Sequence, residues 1–435
     1  MISSILFLLI LATGIWFFTQ SIRKIIRNIK LGRDVEINDR KAERWKTMFR
    51  VAMGQSKMVS RPVAGFFHVI IYAGFIIINI EVLEIIIDGL FGTHRIFAQP
   101  LGSLYDVLIA SFEMLALLVV IACVVFFARR AVIKLKRFTS PELSGFPNKD
   151  AMIILGTEVV LMSLFLFMNA ADQVLQSRGV DHYIQAGSFP VSGFLVPMLS
   201  GMGDHALVLL ERTCWWLHII GILAFLNYVP FSKHFHIFLS FPNVWYSRLD
   251  AKGKFTNNET VASEVRLMLD PAAAPPDGSI APTPFGAKDV RDLSWKNIMD
   301  AYSCTECGRC TSSCPANITG KKLSPRKIMM DTRDRVEELG RNIDQHGAGH
   351  DDGKTLLNDY VTPEELWACT TCNACVEACP VNIDPLSIIV EMRRYLVMEQ
   401  SAAPSELNGM FTKIENNGAP WQFSQADRMN WTQEG

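Results

Sequence analysis

The sequence predicts an all-α protein, with a bundle of five transmembrane helices followed by a soluble helical domain. Two observations carry this prediction. Long apolar runs lie before about Leu239, and the later part of the chain is polar, with eight of the ten cysteines in two matching runs. The 435 residues suffice for two or three domains. A net charge of −1 gives no reason to expect a nucleic-acid partner.

Five apolar runs predict the membrane helices, since a helix needs about 20 apolar residues to cross the hydrocarbon core. They are Ile5–Phe18, Val63–Ile80, Val107–Phe127, Ala151–Asn169 and Ala206–Phe231. No basic residue precedes the first run and no small-residue cleavage site follows it. We therefore expect an uncleaved anchor rather than a signal peptide.

Basic residues predict the orientation of the bundle. Lys and Arg are concentrated between the first and second runs and between the third and fourth, whereas the other two loops carry Arg95 and Arg178. Positive loops stay in the cytoplasm. The prediction is a multi-pass protein of the bacterial inner (cytoplasmic) membrane, with its N-terminus outside and everything after Lys233 in the cytoplasm.

Composition divides the chain into four predicted units. They are a membrane domain (1–245), a linker (246–289), a soluble domain (290–400) and a tail (401–435). The stretch Pro271–Gly286 is rich in Pro and Ala and should be extended. Trp421 and Trp431 suggest that the tail is a docking arm for a partner, with a disordered chain end as the alternative.

The soluble domain contains three predicted helices. Two are Leu323–Leu339 and Thr362–Cys369, and the third follows the last cysteine, over residues 384–400. Thr362 is the expected N-cap of its helix, because Glu365 stands three residues on and Pro363 occupies the first helical position.

Each cysteine run has the pattern Cys-x2-Cys-x2-Cys-x3-Cys-Pro. In two-cluster ferredoxins this pattern holds [4Fe–4S] centres, and the fourth cysteine of each run ligates the other cluster. The predicted ligands are Cys304, Cys307, Cys310 and Cys379 for cluster 1, and Cys369, Cys372, Cys375 and Cys314 for cluster 2.

Structural zinc is the alternative for these cysteines, because it also uses paired Cys-x2-Cys. Two runs of four, each closed by Cys-Pro, favour paired cubanes. Four cysteines leave no iron open to substrate, so we predict an electron relay and no catalytic residue in this domain.

Histidines in the predicted bundle are candidates for axial haem ligands, because an ionisable group within a span is functional by default. His68 lies near the inner end of the second span, His218 lies inside the fifth, and His234 and His236 follow Lys233. His94, His182, His205, His346 and His350 are predicted to be solvated loop residues.

The expected depth of these histidines in the membrane decides which of them could form a pair of ligands. The 18 residues between His218 and His236 make five turns of one helix, which places both side chains on one face, about 27 Å apart along the helix axis. His68 and His236 are then the predicted ligands of an inner haem b. His218 would need a partner near Ile78, which cannot ligate iron. One haem b is predicted and a second stays open, with His218 as an orphan ligand, a quinone contact or a core residue.

Acidic residues at the outer end of the second span leave two interpretations open. Glu81, Glu84 and Asp88 lie on one side of it. They would form a proton path to a quinone site, or the helix has already left the bilayer, which we favour. Glu211 and Arg212 are adjacent and should point to different sides of their helix.

The membrane half resembles the five-helix cytochrome b subunit of respiratory nitrate reductases. The resemblance is carried by Phe67-His68-Val69, by His218 and by the stretch Pro230–His236. It implies two b-type haems between spans two and five, and the oxidation of quinol. His68 and His236 match the inner ligands and His218 matches one outer ligand, while the second outer histidine is missing.

The soluble half looks like the dicluster subunit of heterodisulfide reductases. The fused order, cytochrome b and then dicluster ferredoxin, is similar to membrane electron-transferring-flavoprotein:menaquinone oxidoreductases and to heterodisulfide-reductase-like complexes. Those families carry a further cysteine-rich domain with CCG signatures, and this sequence has no cysteine after Cys379. The resemblance therefore implies a separate CCG-domain subunit, an electron-transferring flavoprotein, or both as partners.

The predicted function is that of a quinone-linked oxidoreductase subunit. Electrons would pass between a cytoplasmic redox partner and membrane quinone through two [4Fe–4S] clusters and haem b. One alternative is the quinol-oxidising subunit of a heterodisulfide-reductase-like complex. Another is a redox-sensing membrane protein, which would need an output domain.

Overall fold

The computed structural model describes residues 2–270 and 285–433. Over these residues the chain folds into helices and contains no β-strand, only two isolated bridges. The all-α prediction is confirmed. The predicted extended stretch Pro271–Gly286 lies, but for its last two residues, outside the described residues.

Five long helices form the bundle, and each is long and apolar enough to cross a membrane. They are α1 (Ile2–Ile29), α2 (Pro62–Phe91), α3 (Ser103–Ala131), α4 (Phe146–Ser177) and α5 (Asp204–Tyr228). This confirms the prediction of five apolar helices that could span a membrane. Each of the first four runs beyond its apolar stretch, and the added turns pack on loops or on the soluble domain.

The helices pack as a sequential bundle in which α2 contacts α3, α3 contacts α4, α4 contacts α5, and α1 closes the ring against α2 and α5. Small residues permit the close approaches, as is usual where helices meet in lipid. A Cβ on Gly74 would lie 2.8 Å from Val119, and one on Gly221 would lie 2.7 Å from Leu161.

Shorter helices fill the connections of the membrane half. They are Lys41–Met48, Ala98–Leu101, Val196–Leu199, His236–Trp245 and Glu259–Leu269, with a π-helical turn at Phe49–Met53 and 3-10 turns at Lys136–Phe138, Pro141–Leu143, Ser192–Phe194, Val229–Phe231 and Lys233–Phe235. The helix Glu259–Leu269 lies inside the predicted linker.

The soluble domain is built around α6 (Trp295–Ser303), α7 (Pro325–His346) and α8 (Pro385–Met398). Shorter elements are Val290–Asp292, Arg309–Ser312, Pro315–Ile318, Leu356–Asp359, Pro363–Trp367 and Ala374–Ala378. The predicted capping box is present, since Thr362 and Glu365 each accept a hydrogen bond from the other's backbone N–H. The tail forms Ser405–Asn417 and a 3-10 helix Gln425–Thr432, and Trp421 and Trp431 are exposed.

One hydrophobic core joins the membrane and soluble halves. Ile25 of α1, together with Val229 and Phe235, belongs to the same buried cluster as Ile298 and Leu339 of the soluble domain. The soluble domain therefore sits directly on the end of the bundle where the basic loops lie.

Candidate functional site

The two cysteine runs have the same backbone conformation. In the first, Glu306 and Gly308 flank Cys307 with φ of 54° and 71°. In the second, Thr371 and Asn373 flank Cys372 with φ of 56° and 59°. Left-handed residues on either side of the middle cysteine curl each loop tightly, and such turns aim backbone N–H groups at an anionic centre.

Four cysteines from both runs line one cavity: Cys304, Cys307, Cys310 and Cys379. This is the set predicted to share cluster 1. The second run contributes Cys379 because the helices Arg309–Ser312 and Ala374–Ala378 pack side by side. The sulfur of Cys379 also accepts a hydrogen bond from the backbone N–H of Ile383, at 3.3 Å.

Cys314 of the first run lies with the cysteines of the second. Burial raises the pKa of the Cys369 thiol, and the neighbouring thiols of Cys314 and Cys372 raise it further. Burial likewise raises the pKa of Cys375, with Cys369 and Cys314 among the charges that add to the shift. The backbone thus brings the predicted ligands of cluster 2 into one group, in which Cys372 is exposed.

These thiols would need a bound metal centre in order to ionise. Burial raises the pKa of Cys304 to about 12 and that of Cys379 to about 11. Such thiols ionise at neutral pH only beside a strong positive charge, which iron supplies.

His68 and His236 face each other across a second, larger cavity of about 450 Å³. Their ring centres are 6.4 Å apart. Two imidazoles that share one metal ion would have ring centres about 6.2 Å apart, from a metal–nitrogen distance of about 2 Å and a ring radius of ~1.1 Å. This spacing is compatible with two imidazoles that hold one metal ion between them, so His68 and His236 are the residues that would hold a haem.

Hydrogen bonding prepares His236 for ligation. Its Nδ1 lies 3.1 Å from the carbonyl oxygen of Lys233. This contact makes Nδ1 the protonated nitrogen and leaves the lone pair of Nε2 free for a metal. The buried Nδ1 of His68 has no partner among the described residues.

Arginines line the same cavity at the end where the basic loops lie, and sequence reasoning missed them as site residues. Arg129, Arg130 and Arg137 all reach it. Burial lowers the pKa of Arg137 to about 10, and its buried Nε has no partner among the described residues. A buried guanidinium group with an unpaired nitrogen is suited to bind a carboxylate, and a haem carries two carboxylates. In the sequence, these residues looked like an ordinary positive loop.

The predicted single helix from His218 to His236 is wrong. α5 ends at Tyr228, and the chain then makes two 3-10 turns, Val229–Phe231 and Lys233–Phe235. Pro230 lies in the first of these turns, and a proline interrupts an α-helix because it lacks an N–H group. The distance of about 27 Å and the shared face therefore do not apply.

His218 lines the deep end of the same cavity, together with Ile78 and Glu158. Its side chain is buried, and Nδ1 lies 3.0 Å from the carbonyl oxygen of Leu161. Nε2 has no partner among the described residues. The structure thus separates His218 from the His68–His236 pair but leaves all three along one continuous space.

The ion pair between Lys233 and Glu306 links the two halves of the site. Nζ of Lys233 contacts Oε2 of Glu306, which stands between Cys304 and Cys307. Both side chains are buried, and Arg333 contacts the other oxygen of Glu306 at 2.8 Å. Since the Lys233 carbonyl holds His236, one residue contacts both the candidate haem ligand and the cluster 1 loop.

The end of the bundle far from the soluble domain holds a buried polar network. Arg95 donates to Asp172 and Tyr105, and Tyr105 donates to Glu84. Asp88 accepts from the Arg95 backbone N–H at 2.7 Å. All three acids of α2 are buried, and Glu84 and Asp88 have polar partners while Oε2 of Glu81 has none among the described residues. Both interpretations of their role stay predictions.

Two further predictions at this end are wrong. His94 is not a solvated loop residue, because its side chain is 9% exposed and Nε2 lies 3.4 Å from Asp172. Arg212 bonds its neighbour Glu211, although adjacent residues on a helix diverge. The long Arg212 side chain bends back to its neighbour, which sequence spacing alone cannot reveal.

Comparison with known protein families supports the assignment of the two cysteine runs to iron–sulfur clusters. Residues 303–383 match the family described as "4Fe-4S dicluster domain". This dicluster domain covers both cysteine runs. It supports iron–sulfur clusters as cofactors of the chain.

Three curated relatives extend the comparison. The "Probable iron-sulfur-binding oxidoreductase FadF" of Bacillus subtilis is 29% identical over 465 positions, which cover 99% of this chain and 61% of the relative. The "EtfAB:quinone oxidoreductase" of Syntrophomonas wolfei is 28% identical over 430 positions, 92% of this chain and 55% of the relative. One subunit of the ferredoxin/F(420)H(2)-dependent CoB-CoM heterodisulfide reductase of Methanosarcina acetivorans is 36% identical over 107 positions, 24% of this chain and 52% of the relative.

The chain thus spans between half and two thirds of the length of the first two relatives. No solved structure matches it significantly. The chain is similar, over nearly its whole length, to two oxidoreductases, one of them named as iron–sulfur-binding, and over the dicluster domain to a heterodisulfide reductase subunit.

Proposed function

We propose that this chain passes electrons between a cytoplasmic redox partner and the membrane quinone pool, through two [4Fe–4S] clusters and one haem b. One observation carries the proposal. Cys307 of the cluster 1 loop lines the same cavity as His68 and His236. A cluster and a haem held by these residues would be neighbours. Because protein ligands would take all the iron positions, no position is left for a substrate. The chemistry that the cluster and the haem would supply is therefore electron transfer.

The partner would approach cluster 2. Cys372 is the exposed cysteine of the eight, whereas Cys304 and Cys314 are buried. The name of the Syntrophomonas relative pairs EtfAB with quinone. We therefore propose an electron-transferring flavoprotein, a separate CCG-domain subunit, or both as the partner at this surface, with the tail as a candidate docking arm.

Our preferred direction is from the partner into quinone. The reverse, oxidation of quinol to reduce a disulfide on a partner subunit, is the second candidate. It is favoured by the similarity of the dicluster domain to a subunit of heterodisulfide reductase. The buried Lys233–Glu306 contact would hold cluster 1 and the haem together in either direction.

Haem content tests the membrane part. The reduced pyridine haemochrome of the purified chain should give one haem b for each pair of four-iron clusters. The His68→Ala, His236→Ala double variant should lose the b-type spectrum and keep its iron–sulfur spectrum. A matched double variant of exposed histidines, His346→Ala with His350→Ala, should keep both. A b-type spectrum that survives without His68 and His236 would refute the haem assignment.

Reconstitution tests the route and the direction. The chain in vesicles with menaquinone would be mixed with reduced electron-transferring flavoprotein or with a CCG-domain partner. We expect the clusters to be reduced first, then the haem, then the quinone. If no partner reduces the haem, or if the haem is reduced equally fast in a variant without clusters, the proposed route is wrong.

A further inference from the structure

The deep end of the large cavity is distinct from its haem-binding end. Ile78 stands ten residues beyond His68 on α2, which is about 15 Å along the helix. His218 stands ten residues before the end of α5 and lines the cavity together with Ile78. At this depth the described wall offers one imidazole, and Ile78 and Val82 are apolar.

His218 presents a hydrogen-bond acceptor in this apolar space. Because Nδ1 is committed to the Leu161 carbonyl, the proton of the neutral ring sits on Nδ1 and the lone pair sits on Nε2. Nε2 is buried with no partner among the described residues, and the whole residue is 1% exposed. A buried polar atom without a partner is costly, so the site is suited to a ligand that brings a donor.

The cavity also opens towards the lipid. Phe75 and Ile76 both line it, yet they are 46% and 52% exposed on a membrane helix. A ligand with an apolar tail would therefore reach His218 from the bilayer. Glu158, on α4, lines the same space and places a carboxyl group within it.

We propose that this chamber, lined by Ile78, Val82, Glu158 and His218, binds the head group of a membrane hydroquinone. One hydroxyl of the ring donates to Nε2 of His218, and the isoprenoid tail leaves past Phe75 and Ile76. The oxidised quinone, which lacks the hydroxyl donor, binds less tightly. This inference rests on the proposed quinone-linked function and assigns the place of that substrate.

Binding of a fluorescent quinol analogue tests the chamber. The probe is 2-heptyl-4-hydroxyquinoline N-oxide, titrated into the purified full chain in detergent. We expect one site per chain, and at least tenfold weaker binding in His218→Ala. Val82→Phe, which narrows the chamber without touching His218, should weaken binding similarly. His205→Ala, an exposed histidine at the outer end of the same helix, should bind as the wild type does.

Haem counts and quinone reduction complete the experiment. All variants should hold as much haem and iron as the wild type, which shows that they fold. If His218→Ala and Val82→Phe both bind the probe as the wild type does, the proposed quinol site is wrong. It is also wrong if His218→Ala loses haem, because His218 would then be a haem ligand. If the wild type binds the probe through His218 but exchanges no electrons with menaquinone, the proposed function fails and the chamber stands. If the wild type exchanges electrons with menaquinone but the probe binds equally well without the His218 side chain, the proposed chamber is wrong and the proposed function stands.

Discussion

At the scale of single residues, left-handed backbone shapes the cluster loops. Glycine adopts positive φ freely, but Glu306 and Thr371 do so with full side chains, which costs of order 1 kcal/mol each. Glu306 recovers part of this cost through its contacts with Lys233 and Arg333. The strain is thus placed where the loops must wrap around a cluster.

In the crossed assignment, each cysteine run supplies its fourth cysteine to the other cluster, and this predicts the effects of single cysteine substitutions. Cys379→Ser should disturb the same cluster as Cys310→Ser, and Cys314→Ser the same cluster as Cys372→Ser, because the fourth cysteine of each run lies with the other run. Electron paramagnetic resonance of the reduced protein should show two pairs of matching defects, and each variant should lose up to about half of its iron. Matching of Cys379→Ser with Cys372→Ser instead would contradict the crossed assignment.

Asp331 predicts a pH-dependent stability of the soluble domain. Burial raises its pKa from 3.8 to about 7, and the nearby carboxylates of Glu365 and Asp334 add to the rise, which outweighs the opposing effect of Lys327 at 2.6 Å. The folded protein therefore holds this proton more tightly than the unfolded chain. The resulting stability is complete below about pH 3.8 and is lost as the pH rises through about 7.

Thermal unfolding measures this effect. Between pH 6 and pH 8 the wild type should lose about 1 kcal/mol more stability than Asp331→Asn, which cannot ionise. Glu415→Gln, which alters an exposed acid of the tail, should follow the wild type. Equal pH profiles for the wild type and Asp331→Asn would show that Asp331 titrates normally.

At the scale of elements, α1 is both a membrane helix and a support for the soluble domain. Its last turns carry Asn28, which donates to Tyr302 at 2.9 Å. Arg27 donates to the backbone carbonyl of Gly340 on α7 at 3.0 Å. This explains why α1 continues to Ile29, well past its apolar run.

The contact between α1 and α7 depends on Gly340. A Cβ there would lie 2.5 Å from Oδ1 of Asn28. The Asn28 side chain is buried, and its Nδ2 donates to Tyr302. Gly340→Ala should therefore push α1 from α7 and lower stability by about 1–3 kcal/mol, the usual cost of overpacking. Gly349→Ala, where a Cβ meets nothing within 4 Å, is the control. Equal unfolding temperatures of the two variants in detergent would contradict the tight contact.

At the scale of the whole molecule, the soluble domain covers the end of the bundle where the basic loops lie. Arg309 donates to the backbone carbonyls of Lys57 and Met58, and Arg326 pairs with Glu142. The cysteine loops and the basic loops must therefore be in the same compartment. The positive-inside rule predicts that this compartment is the cytoplasm.

Alkaline phosphatase fusions test this topology in a bacterial host, because the enzyme needs disulfides that form outside the cytoplasm. Fusions after Leu101 and after Gly187, between α2 and α3 and between α4 and α5, should be active. A fusion after Thr139, between α3 and α4, should be inactive although it is made in similar amounts. The opposite pattern would place the dicluster domain outside.

The sequence by itself determined the helical class, the five apolar helices and the cysteine runs. Each rests on a local pattern: a long apolar run, or a fixed spacing that a tight loop imposes. It also singled out His68, His218 and His236, because ionisable groups are rare in lipid.

Only the tertiary structure decided which of these residues share one space. The turns at Val229–Phe231 and Lys233–Phe235 separate His218 from His236, the loops bring Cys307 to the histidine cavity, and Glu306 finds Lys233. The buried network around Arg95 could not be read from spacing either. Such contacts join residues far apart in the chain, and they exist only because packing of the helices brings them together.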